Sequence, residues 1–560
     1  MARFHEFIPK SIIAFQEGYS WAIFKKDLVA GVTVGIIALP LAMAFAIASG
    51  VTPDRGLFTA IVAGFLISAL GGCRGQIGGP TGAFVVIVYG IIQRTGYEGL
   101  AFSTLLASIL LILLGIFRIG SWIKFVPHPL VIGFTTGIAV IIFSSQMKDF
   151  FGLEMVTPPA DFIHKWAAYY DAFPTFDPTT LAVSLSTLGI ILLIRRYCPS
   201  IPWGIASIVL VTLCTFLFDI PVETIASKFG ELPRSLPFPS FPSMNIVFDR
   251  FPELAIDAIT IAFLGAIESL LSAVIADGMM GTRHKSNCEL VAQGIANFGS
   301  ILFGGVPATG AIARTATNVK SGAQTPVAGM IHAVTLFLIL LAFSPIVSLV
   351  PLAALAAVLV MVAWVMSEAG VFMRLVRVPS GDMAILLTAF LLTVFVDITA
   401  AIMLGMILAS FLFMKKMGEM SQTVQLTPLF REEKMESPEK IDPDAIQNKS
   451  VPKGVEVYEI QGPFFFGAAG LLQGLLLNIR SAPKAIILRM RHVPLIDATG
   501  AQALEEFYHR CQRLHTPLLL SGVRGQLEKD LRHFGLIKLI GSERIFPHID
   551  AALASLYTDS

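Results

Sequence analysis

The sequence predicts a polytopic α-helical membrane protein of 14 segments in a 7+7 inverted repeat with two half-helices, followed by a soluble α/β domain. Three observations predict it. Long apolar runs such as Phe102 to Ile116, Leu181 to Ile194 and Ala384 to Phe395 carry no charge. Two Gly-rich segments, far apart in the chain, each open a short helical stretch. After Phe413 the pattern changes to short β-rich runs alternating with amphipathic helices.

Of 560 residues, 55% are hydrophobic and only 14% charged, a balance typical of chains whose solvent is lipid. A spanning helix needs roughly 20 largely apolar residues. Such stretches begin near Leu28, Leu57, Leu100, Val131, Leu181, Ile205, Leu254, Val327, Leu349, Met383 and Thr399. Shorter or broken segments run from Pro80 to Ile92, Cys288 to Phe303 and Pro307 to Val319, which completes the fourteen. The even count places both termini on one side. Lys25 and Lys26, Arg118 and Lys124, Arg195 and Arg196, Arg283 and Lys285, Arg374 and Arg377, and Lys415 and Lys416 then share that side. Basic residues are retained in the cytoplasm, so both termini are expected there. The loops around Thr157 to Thr180 and Asp219 to Pro252 are expected outside.

The expected divisions are 1–26, an interfacial amphipathic segment leading into an uncleaved signal anchor; 27–417, the membrane domain; 418–450, a linker most polar from Gln422 to Lys449; and 451–560, the soluble domain. The five cysteines are scattered with no His at metal spacing, which argues against a disulfide scaffold or a zinc site. No cofactor is implied. A net charge of +1 argues against nucleic acid as a partner.

Gly78-Gly79-Pro80-Thr81-Gly82-Ala83 and Gly304-Gly305-Val306-Pro307-Ala308-Thr309-Gly310-Ala311 form the matched pair. They lie an odd number of elements apart and so point in opposite directions, as expected of discontinuous helices whose N-termini face each other near the bilayer midplane. Unpaired N–H groups and the positive ends of two helix dipoles favour an anion between them. The plain alternative is that Gly and Pro mark loops or tight packing. Arg314, in the first turn of the second half-helix, adds attraction for an anion, or else pairs structurally with a helix-end carbonyl or a carboxylate. Glu268, deep in an apolar run, either couples transport to an ion or serves as the partner of Arg314. Asp257 and Asp397 read as interfacial.

In the soluble domain, Val455 to Gln461, Ala485 to Met490 and Pro517 to Val523 read as strands. Leu471 to Ile479, Thr499 to Gln512, Gln526 to Phe534 and Ile549 to Tyr557 read as helices. The alternation implies a parallel or mixed sheet. No nucleophile, base and orienting residue converge, so regulation or partner binding is expected in place of catalysis.

Asp27-Leu28-Val29-Ala30-Gly31-Val32-Thr33-Val34-Gly35 with Pro40, Gly78 to Phe84, Gly265 to Leu271 and Ala311 to Thr315 occur in an order that resembles the SulP anion transporters, solute carrier family 26, over nearly the whole chain. Leu39-Pro40-Leu41-Ala42-Met43-Ala44, Gly265 to Leu271 and Ala311 to Arg314 look most like the enterobacterial dicarboxylate carrier. The resemblance implies secondary active transport of sulfate, another inorganic anion or a C4-dicarboxylate across the cytoplasmic (inner) membrane, by an elevator-type mechanism. It also implies a homodimer and a cytoplasmic STAS domain that could bind a protein partner.

By position the resemblance assigns Ala44 and Phe45 of the first helix, Gly82, Ala83 and Phe84 of one half-helix, and Ala313, Arg314 and Thr315 of the other to the substrate. Glu268, with Ser272 one turn on, matches the cation-coupling position. A sodium-coupled bicarbonate relative has Asp and Thr there, so Glu268 points to a proton. Pro40-Leu41-Ala42-Met43-Ala44-Phe45-Ala46 stands where many sulfate-type members read Pro-Gln-x-x-Ala-Tyr-Ala, and Ala313 replaces a common Ser. In Asp497-Ala498-Thr499-Gly500, Ala498 occupies the serine phosphorylated in stand-alone STAS relatives. The competing readings are a sodium-coupled bicarbonate or sulfate symporter, an anion exchanger, a channel-like anion permease, a nucleobase carrier and a membrane-anchored signalling protein.

Overall fold

Fourteen membrane segments are present among the described residues. The computed structural model describes residues 5–121, 126–155, 158–159, 161–198, 202–242, 247–377, 381–396, 398–419, 422–425, 449, 451–464 and 483–558. The chain divides into two compact units, Met1–Ile407 and Leu408–Ser560.

The membrane elements are α2 (Trp21–Ala48), α3 (Pro53–Leu70), α4 (Gly82–Ile116), α5 (His128–Ser145), α8 (Pro178–Tyr197), α9 (Trp203–Leu217), α11 (Val247–Met280), α12 (Ser286–Leu302), α13 (Ile312–Lys320), α14 (Val327–Val347), α15 (Leu352–Met366), α17 (Gly381–Phe395) and α18 (Ile398–Glu419). Non-helical backbone at Gly96 breaks α4 into a half-helix and a full span, which makes fourteen. Short helices α1 (Lys10–Gln16), α6 (Met147–Phe151), α7 (Phe162–Ala172), α10 (Ile225–Phe229) and α16 (Ala369–Arg377) lie between or beside them. The first span starts at Trp21, well before Leu28. Ser20 caps its N-terminus by accepting from the Ile23 N–H, so Lys25 and Lys26 ride on the helix and do not precede it. Asp397 and Lys124 lie outside the described residues.

The two halves interleave. From the first half, α2 and α3 both pack on α14; from the second, α11 and α12 both pack on α4. Likewise α5 packs on α17 while α15 packs on α8. Each contact is matched by its counterpart, as an inverted repeat requires. Small residues permit the close approach: a Cβ on Gly35 would lie 2.9 Å from Thr335 Cβ, one on Gly115 2.7 Å from the Asn287 carbonyl, and one on Gly294 2.6 Å from that of Ser108. Side chains such as Leu192, Leu213, Phe216 and Leu338 are exposed on the outer faces of α8, α9 and α14. In water this would be a liability; in a bilayer it is the solvent-facing surface. The hydroxyls of Thr104, Ser108 and Thr393 bond carbonyls one turn back in their own helices, which satisfies them without a partner helix.

Two bundles result. One holds α2, α3, α4 and α11 to α14; the other holds α5, α8, α9, α15 and α17, with α18 set against α5 at Gly405. Helices approach each other more within each group than between them, and one continuous apolar cluster fills the seam. Within the first bundle, fully buried Asp27 closes the turn before α14. Its carboxylate accepts from the Gln324 N–H (2.7 Å), the Thr325 N–H (3.2 Å), the Thr325 hydroxyl (2.5 Å) and the Tyr19 hydroxyl (3.2 Å).

In the second unit a five-stranded sheet runs in the order β3-β4-β5-β6-β7, with β3 (Gln422–Gln425), β4 (Val455–Gln461), β5 (Ala485–His492), β6 (Leu518–Ser521) and β7 (Ile545–Phe546). β4 to β7 are parallel and β3 is antiparallel to β4. β3 falls inside the segment expected to be a linker, because Gln-Thr-Val-Gln becomes a strand only by pairing with β4, a long-range contact its composition does not announce. Helices Ala498–Arg513, Gln526–His533 and Ile549–Thr558 lie where expected, and the expected helix from Leu471 to Ile479 lies outside the described residues. The first of them is capped by Asp497, which accepts from the Gly500 N–H at 2.7 Å. Ala498 opens it without a hydroxyl, so a phosphoserine at this position is excluded.

Asp27→Ala strands two buried backbone N–H groups, at about 1–3 kcal/mol each. The expected outcome is a clear fall in the melting temperature of the detergent-solubilised protein, with Asp27→Asn intermediate. A fluorescence-monitored thermal ramp checks it.

Candidate functional site

Between α3 and α4 the chain is extended, because Gly71, Gly72, Gly75, Gly78, Gly79 and Pro80 do not sustain a helix. The same holds between α12 and α13. Extended backbone inside a membrane needs partners, and the two loops supply them to each other. β1 (Gly78–Gly79) pairs antiparallel with β2 (Thr309–Gly310), in register Gly78↔Gly310 and Gly79↔Thr309. The Ala311 N–H donates to the Ile77 carbonyl (2.8 Å) and the Ile77 N–H to Thr315 Oγ1 (3.0 Å).

Neighbouring helices lock the crossing. Asn297 of α12 grips Ala308 at both ends, accepting from its N–H (2.7 Å) and donating to its carbonyl (2.8 Å). Ser269 of α11 meets Thr309 Oγ1 at 2.7 Å and accepts from the Gly310 N–H at 3.2 Å, while Gln76 donates to the Ser269 carbonyl at 3.2 Å. Asn318 donates to the Gly75 carbonyl at 2.9 Å.

From this crossing the half-helix of α4 and α13 depart in opposite directions. Their N-cap residues, Thr81 and Ala311, provide no side-chain hydrogen bond to the helix ends, so the first N–H groups keep no side-chain partner. Thr81 Oγ1 is itself buried and unpartnered. Arg314, 3% exposed, donates through Nη2 to the Pro80 carbonyl, and its Nη1 is buried without a partner. The carbonyl is one structural partner the sequence allowed for; the other is absent, since no ion pair joins Arg314 to Glu268. Gly79 accepts this neighbour for two reasons: its φ is +149°, and a Cβ there would lie 2.8 Å from Arg314 Nη1.

Glu268 is 6% exposed and has neither a hydrogen bond nor an ion pair. Ser272 does not turn to it; its hydroxyl donates to Thr315 Oγ1 at 3.0 Å. Thr315 is fully buried, its hydroxyl accepting from Ser272 and Ile77, and its N–H bonded to Ala311, so its groups are taken by the crossing. Ala44, Phe45, Ala83 and Phe84 lie in one apolar cluster, and Phe84 Cζ is 3.5 Å from a Cβ placed on Gly265. Gly82 faces the other bundle, where a Cβ would meet Ile142 Cδ1 and Met366 Sδ at 2.9 Å each. Ala313 is exposed.

Sequence reading placed the second half-helix from Pro307, starting its motif at Gly304. The helix starts at Ile312, and the residues paired with Gly78 and Gly79 are Gly310 and Thr309. The difference arises because the side chains of Thr59 and Ser300 hold Val306 in the preceding loop (2.7 Å each). Thr81 was also missed, although Thr ahead of a helix is a recognisable N-cap signal. So was His332 of α14, fully buried behind β1 across Gly64; a lone His in an apolar run gives no such signal.

The sequence profile of the sulfate permease family matches residues 24–389, and that of the STAS domain matches residues 447–552. The chain is 40% identical over 536 residues to the Bacillus subtilis (strain 168) protein named "Putative sulfate transporter YvdB", covering 95% of this chain and 98% of that one. It is 28% identical to the bicarbonate transporter BicA of Picosynechococcus sp., covering 94% of each. Its fold matches murine solute carrier 26 family member A9 in the inward-facing state, with a TM-score of 0.86, 18% identity and coverage of 100% and 95%. The transmembrane domain of a cyanobacterial BicA superimposes with a TM-score of 0.61, at 29% identity, over 70% of this chain and 98% of that one. These relatives are transporters and not enzymes. A membrane body built on a crossing of two half-helices, with a STAS domain after it, accounts for the whole match: the chain belongs to the sulfate permease (SulP, solute carrier 26) family.

Proposed function

We propose that the protein carries a small inorganic oxyanion of the sulfate or bicarbonate class across the cytoplasmic membrane. The observation that carries this reading is the unpartnered Nη1 of buried Arg314, beside Thr81 Oγ1 and the uncapped N-termini of two half-helices. A cation without a counterion in so dry a place is costly, and an anion at the crossing removes the cost. The names of the relatives favour an inorganic oxyanion over the C4-dicarboxylate that the nearest resemblance implied. In this reading Ala44, Phe45, Gly82, Ala83, Phe84 and Ala313 shape the pocket, Arg314 and the N–H groups bind, and Thr315 positions.

The proposed mechanism is alternating access by an elevator-type movement, in which the bundle bearing the crossing slides against the other. A seam packed by hydrocarbon, with fewer helix pairs across it than within either bundle, supports that division. Glu268, with no cation or donor on it, is the proposed coupling group, and a proton is its proposed cargo. Ser272, one turn on, donates its hydroxyl to Thr315 and ties the coupling helix to the half-helix that bears Arg314. The STAS unit and both termini are proposed to face the cytoplasm, with a homodimer as the working assembly.

Arg314→Gln removes the buried charge. It is expected to raise the sulfate concentration needed for half-maximal binding by about 100-fold, in line with roughly 2–5 kcal/mol for a buried charged partner. Gly79→Ala pushes the same guanidinium aside and is expected to weaken binding at least about tenfold. Equilibrium binding of labelled sulfate and bicarbonate to purified protein measures both, and unchanged binding in Arg314→Gln would refute the site.

Glu268→Gln is expected to abolish accumulation driven by a proton gradient while preserving exchange of labelled for unlabelled anion. Uptake in proteoliposomes under separate proton and sodium gradients decides it. Wild-type uptake that needs sodium and ignores the proton gradient would overturn the proton assignment.

A further inference from the structure

A cavity of about 1160 Å³ opens at the end of the bundle where α2 finishes and α3 begins, the end proposed to face outside. Its walls reach Val85 and Val86, the residues directly after Phe84. It therefore lies on the approach to the crossing.

Five basic side chains line it, Arg55, Arg94, Lys148, Lys165 and Lys228, together with the acidic Asp149, Asp161, Glu253 and Asp257. Most are engaged. Arg94 pairs with Asp257 at 2.7 Å and Lys228 with Asp149 at 2.9 Å. Arg55 lies over the Tyr97 ring at 3.5 Å and donates to the Gly304 carbonyl, and Lys148 donates to that of Met155.

Lys165 differs. It is 3% exposed, and its ammonium has no hydrogen bond or ion pair; its one polar contact is the face of Tyr89, 5.4 Å from Nζ to the ring centroid. Asp161, the N-cap residue of α7, accepts from the His164 N–H at 3.0 Å and meets His164 Nδ1 at 2.6 Å, both through Oδ2, and its charge acts on Lys165 across the turn without bonding it. The mount is rigid. Trp166 Nε1 donates to Ser144 Oγ on α5 at 3.1 Å, and the Tyr89 hydroxyl donates to the Pro158 carbonyl at 2.5 Å. A largely desolvated ammonium held against an aromatic face beside a cavity, with only the through-space pull of Asp161 on it, has no bonded anion.

We infer that Lys165 and Tyr89 form a docking site for a small oxyanion in the vestibule, occupied before the anion descends to Arg314. This rests on the anion-transport reading and extends it, since it gives the protein two anion sites in series. A fixed cation in a low-dielectric funnel raises the local concentration of anions, so the site acts on capture and not on the crossing step. Basic residues on the outer side also run against the topological preference, and these gather around the cavity.

The test uses full-length protein in oriented proteoliposomes with sulfate as the probe and ionic strength held by gluconate. Lys165→Gln is expected to raise KM about fivefold for uptake from the vestibule side, with kcat within about twofold, and Lys165→Arg is expected to restore KM. In parallel, sulfate should protect wild-type Lys165 from amine acylation read by mass spectrometry, and should still do so in Arg314→Gln. An unchanged KM in Lys165→Gln, equal defects in the Gln and Arg variants, or protection that vanishes in Arg314→Gln would each overturn the docking site. Protection of Lys165 in a wild-type protein that takes up no anion would support the docking site while removing the transport reading.

Discussion

The pairing of Gly78 and Gly79 with Gly310 and Thr309 is the interaction on which the membrane unit depends. Extended backbone deep in a bilayer is tolerable only when its N–H and C=O groups are satisfied, and here each loop is the other's partner. Asn297, Ser269, Gln76, Asn318 and Thr315 then satisfy what the strand pair leaves. That network leaves Gln76 Oε1 and Asn318 Oδ1 buried without partners, as well as Thr81 Oγ1 and Arg314 Nη1. Among these Arg314 alone carries charge, and with the uncapped half-helix ends it favours an anion.

The same crossing separates tasks. α11 reaches it through Ser269 and Ser272, both tied to the second loop, while Glu268 on the same helix stands apart with no contact to Arg314. Any influence of one on the other must therefore pass through α11 and the loop it holds, or through the pathway's water, and not through a direct ion pair. That arrangement allows both groups to be present without cancelling each other.

Much of this was legible in the chain. Apolar runs gave the fourteen segments, and the odd offset of two Gly-rich openings gave their inversion, because both signals are local and strong. The soluble strands at Val455 and Ala485 were legible for the same reason. Other features were not. The register of the crossing depended on Val306 being held by the nearby Ser300 and by Thr59, which lies 247 positions away. β3 exists only through β4. Lys25 and Lys26 looked like a boundary but sit inside α2, since Ser20 caps the helix a turn earlier. Lys165 falls in a stretch legible only as an outer loop, and its burial against Tyr89 depends on a contact far along the chain.

Gly82 presents no side chain to Ile142 and Met366, so the half-helix proposed to bear the anion meets the opposing bundle through bare backbone and hydrocarbon. Such a surface is a greased seal. Dispersion contacts are undirected, so nothing in the seal itself prefers one position of the sliding bundle over another. Charge makes the difference. A lone guanidinium is expensive to drag through hydrocarbon, whereas a guanidinium neutralised by bicarbonate, or by sulfate with a proton on Glu268 to lessen the excess, is far less so. In the proposed mechanism the half-helix that opens at Gly82 thus crosses readily with its anion bound, and the return of the empty carrier, its guanidinium unneutralised, is the slow step of the cycle.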